Sequence, residues 1–424
     1  MLGSLARGKG AFANLLTVFS GLISARAFTF LAAFIIARHS DLGTFGEFTL
    51  FFTVFSLLAA MAEKNDNAYV RFASDPEATL DRAGLVGLNL LFKILVLVTL
   101  GVTAFLWGDS LADRLFDKPD TGRLLTLGVI AGLGFNIFNT QVAVHQAQRK
   151  FRQVSLLRPL PPLIVLLLLI FVIFRQPELY LGNIQLVYLA TAFLVAVVVV
   201  IRHVSEIRAV INLSRLQIKA YLGLAGTLAI SSSVAVIANR MDVFYLTRAA
   251  SFEEVGLYGG AIRLAMLAAI VTPATQTLLL PRAREALLAG NSYWGYLRLA
   301  AFYIGIQGLI VAALMAGSGS LLVLLFGPEY ADSRLVAMVL LLQAAVAGLG
   351  VPFQLLIQNS RHSVYIIVFA LIKLLCVWVF LIVLTPRYGA LGVAFATLSA
   401  TGVYVALSSF FAHFICVPQS RSRE

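Results

Sequence analysis

Apolar residues in this chain come in long blocks, neither alternating as in a half-buried strand nor striped as on a surface helix. Leu163 to Phe174 contains no polar residue, and Val195 to Ile201 is Val, Ala and Ile throughout. Blocks of about 17 residues or more can cross a bilayer core of roughly 30 Å as α-helices. The pattern predicts twelve spans, at about residues 11–37, 46–66, 84–107, 124–146, 157–174, 183–201, 220–247, 254–280, 296–316, 334–358, 364–384 and 388–413. The ten-residue apolar/polar alternation of an outer-membrane barrel is missing. The expected fold class is an all-α polytopic membrane protein whose connections stay under about 20 residues.

Composition narrows this further. Hydrophobic residues make up 60% of the 424 positions and charged residues 12%, where a soluble domain carries about 25% charged, so a soluble globule is excluded. Twelve helices would use about 260 residues and leave no room for a sizeable water-soluble domain. The net charge of +12 does not point to nucleic acid, because basic residues scattered between apolar spans set topology instead. With the N-terminus inside, 19 of the 32 basic residues fall in cytoplasmic tails and loops and 8 on the opposite side, leaving 32 − 19 − 8 = 5 within spans. That asymmetry places both termini in the cytoplasm. Arg7 and Lys9 ahead of an apolar run, with Ala25-Arg26-Ala27 after it, imitate a signal peptide, but the run resumes through Ala37, so an uncleaved span is expected.

Neither metal nor cofactor chemistry is visible. Cys376 and Cys416 are the only cysteines, and His39, His145, His203, His362 and His413 lie near span ends without a zinc-ligand spacing. No Walker motif occurs, so any coupling would come from an ion gradient, membrane potential or substrate flux.

The chain carries traces of a duplication. Gly43-Thr44-Phe45-Gly46 sits between the first two predicted spans and Gly256-Leu257-Tyr258-Gly259 between the seventh and eighth, an offset of 213 residues. Arg26 precedes the first motif by 17 residues and Arg240 the second by 16. Six spans per half start both halves on the same side, the parallel-repeat layout of secondary transporters with a site between halves near the midplane. The expected halves are residues 1–210 and 211–424.

Five basic residues lie inside spans, Arg26, Lys93, Arg240, Arg263 and Lys373, against one clearly intramembrane carboxylate, Asp242. Each unpartnered charge costs about 2.5 to 3.5 kcal/mol on insertion scales, so an excess of four amounts to roughly 10 kcal/mol unless water, an anion or snorkelling offsets it. Lys93 and Lys373 can alternatively snorkel or bridge helices, and Arg240 can pair with Asp242 or with a carboxylate on a neighbouring helix. Arg26 and Arg263 are the stronger candidates for an anion site, since guanidinium forks read phosphate in two-pronged fashion. Asp242 is the candidate ion or charge-pair residue. Pro273 and Pro352 interrupt the eighth and tenth spans and are candidate bending points.

Several segments resemble the polysaccharide flippases of the multidrug/oligosaccharidyl-lipid/polysaccharide exporter superfamily. They are Ile35-Ile36-Ala37-Arg38 running into Asp41-Leu42-Gly43-Thr44-Phe45-Gly46, Ala68-Tyr69-Val70-Arg71-Phe72, and Arg240-Met241-Asp242 followed by Glu254 to Leu264. Further matches are Leu325-Phe326-Gly327-Pro328-Glu329-Tyr330 and Arg387-Tyr388-Gly389-Ala390-Leu391-Gly392. The resemblance covers essentially the whole chain. It implies two pseudo-symmetric six-helix bundles forming a V-shaped central cavity, and flipping of a polyprenyl-pyrophosphate-linked oligosaccharide across a bacterial inner membrane. It implies a cationic cavity to which Arg26 and Arg263 contribute, as arginines of the first and eighth helices do in the branch that flips the peptidoglycan precursor. That branch carries two further C-terminal helices, so twelve spans point to the O-antigen, capsule or exopolysaccharide branch, with polysaccharide polymerase and chain-length machinery as further partners. Three alternatives are an ion-coupled multidrug exporter of the same superfamily using Asp242, a membrane enzyme, and a non-catalytic partner protein in polysaccharide export. The longest outer segment, about Gly108 to Arg123, has no clustered catalytic groups, which disfavours an enzyme.

Overall fold

The computed structural model describes residues 2–73, 81–269, 271–288, 293–360, 362 and 364–421, without the side chains of 2–16, 61–64, 227–235, 238, 271, 273, 274, 277, 281, 288 and 415–421. These residues form fifteen α-helices: α1 (Leu2–His39), α2 (Leu42–Ala73), α3 (Arg82–Phe116), α4 (Gly122–Ala147), α5 (Phe151–Leu157), α6 (Leu160–Arg175), α7 (Leu181–Arg202), α8 (Val204–Ala209), α9 (Arg215–Ala238), α10 (Met241–Ala249), α11 (Phe252–Ala268), α12 (Val271–Leu288), α13 (Tyr293–Leu325), α14 (Arg334–Asn359) and α15 (Val364–Arg421). No strand occurs among the described residues.

Nine stretches of described residues are long and apolar enough to cross a membrane. The ninth, Val364–Phe414, covers 51 residues, enough for the expected eleventh and twelfth spans. Gly389 breaks it with φ 53° and ψ −133°, a backbone region open essentially to glycine alone. The expected seventh and eighth spans are cut into pieces: α9 stops at Ala238 before α10, and α11 stops at Ala268 before α12. Arg240 and Asp242 stand at the first of these breaks. The fifth span begins earlier than expected, at Phe151, with Arg158 at the turn between its two helices, α5 and α6. Side chains that would be anomalous in water, such as Phe174 at 85% and Phe410 at 77% exposure, suit a lipid-facing surface.

Close packing divides the chain into two compact units, Met1–Arg240 and Met241–Glu424. The first therefore contains α9 in addition to the helices of the expected N-terminal half. Its central helix is α4, which packs against α2, α3 and α7. Gly132 of α4 permits this approach, since a Cβ there would lie 2.5 Å from the Phe55 carbonyl oxygen of α2. Leu85, Leu90, Val154 and Tyr221 belong to the buried core of this unit. In the second unit α14 holds the same central position against α11, α12, α13 and α15, over a core that includes Leu279, Ala283, Tyr296 and Leu356.

The repeated glycine motifs lie inside helix starts, not in the connections where the sequence places them. Asp41 caps α2, accepting from the Thr44 backbone N–H at 2.8 Å and its hydroxyl at 2.8 Å. The Thr44 N–H, foremost, holds the Asp41 carboxyl below its usual range, against a smaller opposing effect of burial. Ser251 caps α11 by accepting from the Glu254 N–H at 3.4 Å. Polar side chains are favoured at such positions because the first turn leaves N–H groups without helical partners. Phe45 and Tyr258, the aromatic members of the two motifs, are both 0% exposed.

Candidate functional site

In the first unit, α1, α2, α4, α6, α7 and the α5–α6 turn line a cavity of about 450 Å³. Its shape begins with a close helix contact. Gly21 of α1 lies so near α5 that a Cβ would sit 2.5 Å from the Ser155 carbonyl oxygen, and the Ser20 and Ser155 hydroxyls are 3.2 Å apart. Farther along the same segments Ala32 and Val165 both line the cavity, so α1 and α5–α6 run in one direction. At about 1.5 Å rise per residue, Arg26 stands about 7.5 Å beyond Gly21 and Arg158 about 4.5 Å beyond Ser155. The two guanidinium-bearing positions are thus at nearly the same level, and both line the cavity. Arg158 occupies the turn between α5 and α6. Pro161 and Pro162 follow in the first turn of α6, where a missing N–H removes no helical bond.

The lining contains two arginines and no carboxylate. Arg26 is exposed and Arg158 half-buried, and the Arg158 Nε is enclosed without a hydrogen-bond partner. Neither makes an ion pair among the described residues. Two cavity hydroxyls turn away from the space: Thr29 donates to Ala25 O at 2.9 Å and Ser56 to Thr53 O at 3.1 Å, each within its own helix. Asn139 supplies an amide. Opposite stands an aromatic wall, in which Phe55 meets Phe135 edge-on at 4.8 Å and Tyr188 at 5.3 Å. Such T-shaped pairs favour a fixed, rigid surface. The cavity therefore combines fixed positive charge with a large apolar face.

Lys93 does not line this cavity. Its ammonium, on a residue 2% exposed, donates to Asp66 Oδ1 at 2.6 Å, Asn136 O at 2.9 Å and Thr140 Oγ1 at 2.9 Å. Asn89 donates to the same Asp66 oxygen at 2.9 Å and accepts from Asn65 at 2.7 Å and from the Tyr221 hydroxyl at 3.1 Å. The bridging alternative for Lys93 is thus the one realised, because Asp66 provides a buried countercharge that the sequence pattern placed at a span end. Helix α4 forms the partition: Phe135 and Asn139 face the cavity, while Asn136 and Thr140, one residue on, face the buried network.

The remaining expected site residues are distributed elsewhere. Arg240, half-buried, follows α9 at the end of the first unit. In the second unit, Arg263 is 7% exposed and donates to Gly259 O, one turn back on α11, at 2.8 Å. Asp242, also 7% exposed, accepts from the Tyr258 hydroxyl at 2.7 Å and from the Val243 N–H at 2.8 Å. The Lys373 ammonium lies over the Tyr404 ring, 5.9 Å from its centroid, a cation–π arrangement. Pro352 is buried inside α14, and its carbonyl accepts from the Tyr296 hydroxyl at 2.9 Å. The Pro273 side chain lies outside the described residues. No group of three or more His, Cys, Asp or Glu suited to a metal ion occurs among the described residues.

Sequence reasoning missed Arg158, which it assigned to a cytoplasmic loop, and Asp66. A usable signal was present in each case: Arg158 is separated by two residues from a Pro-Pro pair that opens an apolar block, and Asp66 lies between Asn65 and Asn67 next to a span.

This arrangement of helices defines a class. The chain has the multi-pass helical fold of the MOP superfamily transporters. It superimposes on lipid II flippase MurJ in an inward closed conformation with a TM-score of 0.74 and 13% identity, over 94% of this chain and 87% of that one. An inward-facing multidrug resistance MATE family transporter of the MOP superfamily matches with a TM-score of 0.72 and 14% identity, over 94% and 96% of the two chains. A MOP superfamily transporter from Pyrococcus furiosus, described by a reversed polarity of its binding pocket, gives 0.65 and 14% over 95% and 94%. No protein-family profile and no curated protein sequence matches the chain.

Proposed function

We propose that this protein flips a polyprenyl-pyrophosphate-linked oligosaccharide from the cytoplasmic to the periplasmic leaflet of a bacterial inner membrane by alternating access, without catalysing a covalent step. The observation that carries this reading is a cavity lined by Arg26 and Arg158 with no carboxylate. A fixed positive charge in a low-dielectric surround favours an anionic cargo, whereas an exporter of cationic drugs needs acidic groups there. The fold shared with a lipid II flippase supports the same direction. Arg240 adds positive charge to the first unit, Arg263 and Lys373 add it to the second, all three as further contacts for the anionic cargo, and Lys93 maintains the first unit. The two sequence halves, 1–210 and 211–424, act as the moving repeats, with Pro352 as a bending point. Both termini are cytoplasmic, and the delivered glycan passes to polymerase and chain-length machinery.

The test is glycan analysis of a deletion strain, separating lipid-linked oligosaccharide by leaflet, with Arg26→Ala and Arg263→Ala chains as complements. Accumulation in the cytoplasmic leaflet with loss of surface polymer, rescued by the parent chain and not by the variants, is the expected result. Unchanged leaflet distribution and surface polymer in a strain lacking any redundant flippase would overturn the proposal and direct attention to drug efflux through Asp242.

A further inference from the structure

The cavity of the first unit is lined by two arginines, and the side chain of the second, Arg158, has no partner among the described residues. Arg158 brings an enclosed Nε with no hydrogen-bond acceptor to the cavity wall. An unsatisfied buried donor costs about 1 to 3 kcal/mol, more when charged, and packing alone would be better served by an apolar side chain. The close Gly21–Ser155 contact fixes α1 against α5, which sets Arg158 at the level of Arg26. We infer that Arg26 and Arg158 together form a phosphoryl clamp inside the first unit, and that the wall of Phe52, Phe55, Phe135 and Tyr188 takes the apolar group bonded to that phosphoryl.

Two features select this ligand. A phosphoryl group offers several acceptor oxygens, which two planar donor forks can engage from separate directions. The attached group is apolar because the wall has little to offer hydroxyls: Thr29 and Ser56 already donate to their own helices, and three of the four aromatic residues are Phe. A sugar ring set against Phe52, Phe55 and Phe135 would leave the hydroxyls on that side without partners, whereas an alkyl chain has none to satisfy. The clamp thus holds the diphosphate and the first carbons of the lipid, and any sugar extends beyond it. This deepens the flippase reading and rests on it for the biological cargo.

Binding to the purified full chain in detergent tests the clamp, with farnesyl diphosphate, inorganic pyrophosphate and farnesol as probes. Wild type is expected to bind farnesyl diphosphate more tightly than pyrophosphate, with farnesol weakest. Arg158→Gln should weaken farnesyl diphosphate binding by at least about tenfold, and Arg158→Lys should recover only part of it because an ammonium lacks the fork. Arg175→Gln removes the same charge from an exposed residue outside the cavity, where the guanidinium lies 5.3 Å over Phe171, and should bind as wild type. Equal loss in Arg158→Gln and Arg175→Gln, or wild-type affinity in Arg158→Gln, overturns the clamp. Pyrophosphate binding as tight as farnesyl diphosphate overturns the apolar wall's role. These outcomes separate from those of the export assay. Normal export with unaltered binding in Arg158→Gln would remove the clamp alone, and an Arg158-dependent site in a chain whose deletion leaves glycans unchanged would remove the flippase reading alone.

Discussion

The two units solve the same problem, charge inside an apolar bundle, over different distances. In the first, Lys93 reaches residues 27, 43 and 47 positions away, and Tyr221 joins the same network from 132 positions away through Asn89, so α2, α3, α4 and α9 meet at one polar knot. In the second, the side-chain hydrogen bonds are nearer in sequence, Arg263 to a carbonyl 4 positions back and Asp242 to a hydroxyl 16 positions on, while the Lys373 ammonium attracts Asp242 without joining that bonded pair. Long-range compensation ties helices together and makes each member depend on the others. Shorter-range hydrogen bonds satisfy a polar group within one helix or between two, as Arg263 does within α11 and Asp242 between α10 and α11. A cavity whose two arginines make no ion pair among the described residues sits beside the knot, on the other face of α4, so Arg26 and Arg158 are kept apart from the partners that Lys93 uses.

The largest expected effect comes from breaking the knot. Asp66→Ala leaves a buried ammonium without its countercharge and should destabilise the chain by about 3 to 5 kcal/mol. Asp242→Ala takes the acceptor from the Tyr258 hydroxyl and should cost about 1 to 3 kcal/mol. Equilibrium unfolding in mixed detergent–lipid micelles measures both, and equal losses would dissolve the contrast between units. Adding Lys93→Met to Asp66→Ala should restore much of the loss, since the charge and its partner then go together.

A smaller effect is expected at the turns that join spans. In the second unit Gly389 sits against α11, where a Cβ would lie 2.6 Å from the Glu254 carboxylate, in a backbone conformation with positive φ. Gly389→Ala should cost about 1 to 3 kcal/mol, and Glu254→Ala in the same chain should relieve the contact but not the backbone part. The first unit makes its equivalent tie through backbone, with the Leu179 N–H donating to His39 O at 2.6 Å. His39→Ala should therefore change unfolding by less than about 1 kcal/mol, losing only the ring contact with Pro177 O. A His39 cost as large as that of Gly389 would mean that both turns depend on side chains.

The smallest effect separates the two caps by charge. Asp41→Ala should cost about 1 kcal/mol at neutral pH. Because the folded state holds the Asp41 carboxyl below its ordinary 3.8, its contribution is complete above that value and disappears as pH falls through the lowered folded one. Ser251→Ala removes an uncharged cap and should show no such acid dependence when melting is followed between neutral and acidic pH.

The helical and membrane-crossing character was legible because hydropathy acts locally: a block such as Leu163 to Phe174 stays apolar whatever it packs against. The two glycine motifs both fall at helix starts for a related reason, since helix starts need caps and small residues near them, at Asp41 with Gly43 and at Ser251 with Gly256. The site was legible only in part. Arg26 falls deep in a predicted span and lines the cavity, but Lys93 looks the same in sequence and lies in a different environment. The difference is Asp66, which is 27 positions away along the chain and 2.6 Å away in space. Arg158 shows the converse: it stands at the edge of the predicted span 157–174 and counts with the cytoplasmic loop, whereas α5 carries the helical stretch past it to Phe151.

What the sequence determined by itself was the all-helical, membrane-crossing character of the chain, the approximate positions of its long apolar stretches, and a surplus of positive charge among them. Each follows from the free energy of moving one segment between water and lipid, which depends on that segment alone. Tertiary structure decided which charges are compensated and which remain available, because ion pairs and cavities depend on where other helices place their side chains. Coulomb interactions in a low-dielectric interior act through space, and no local pattern records the distance.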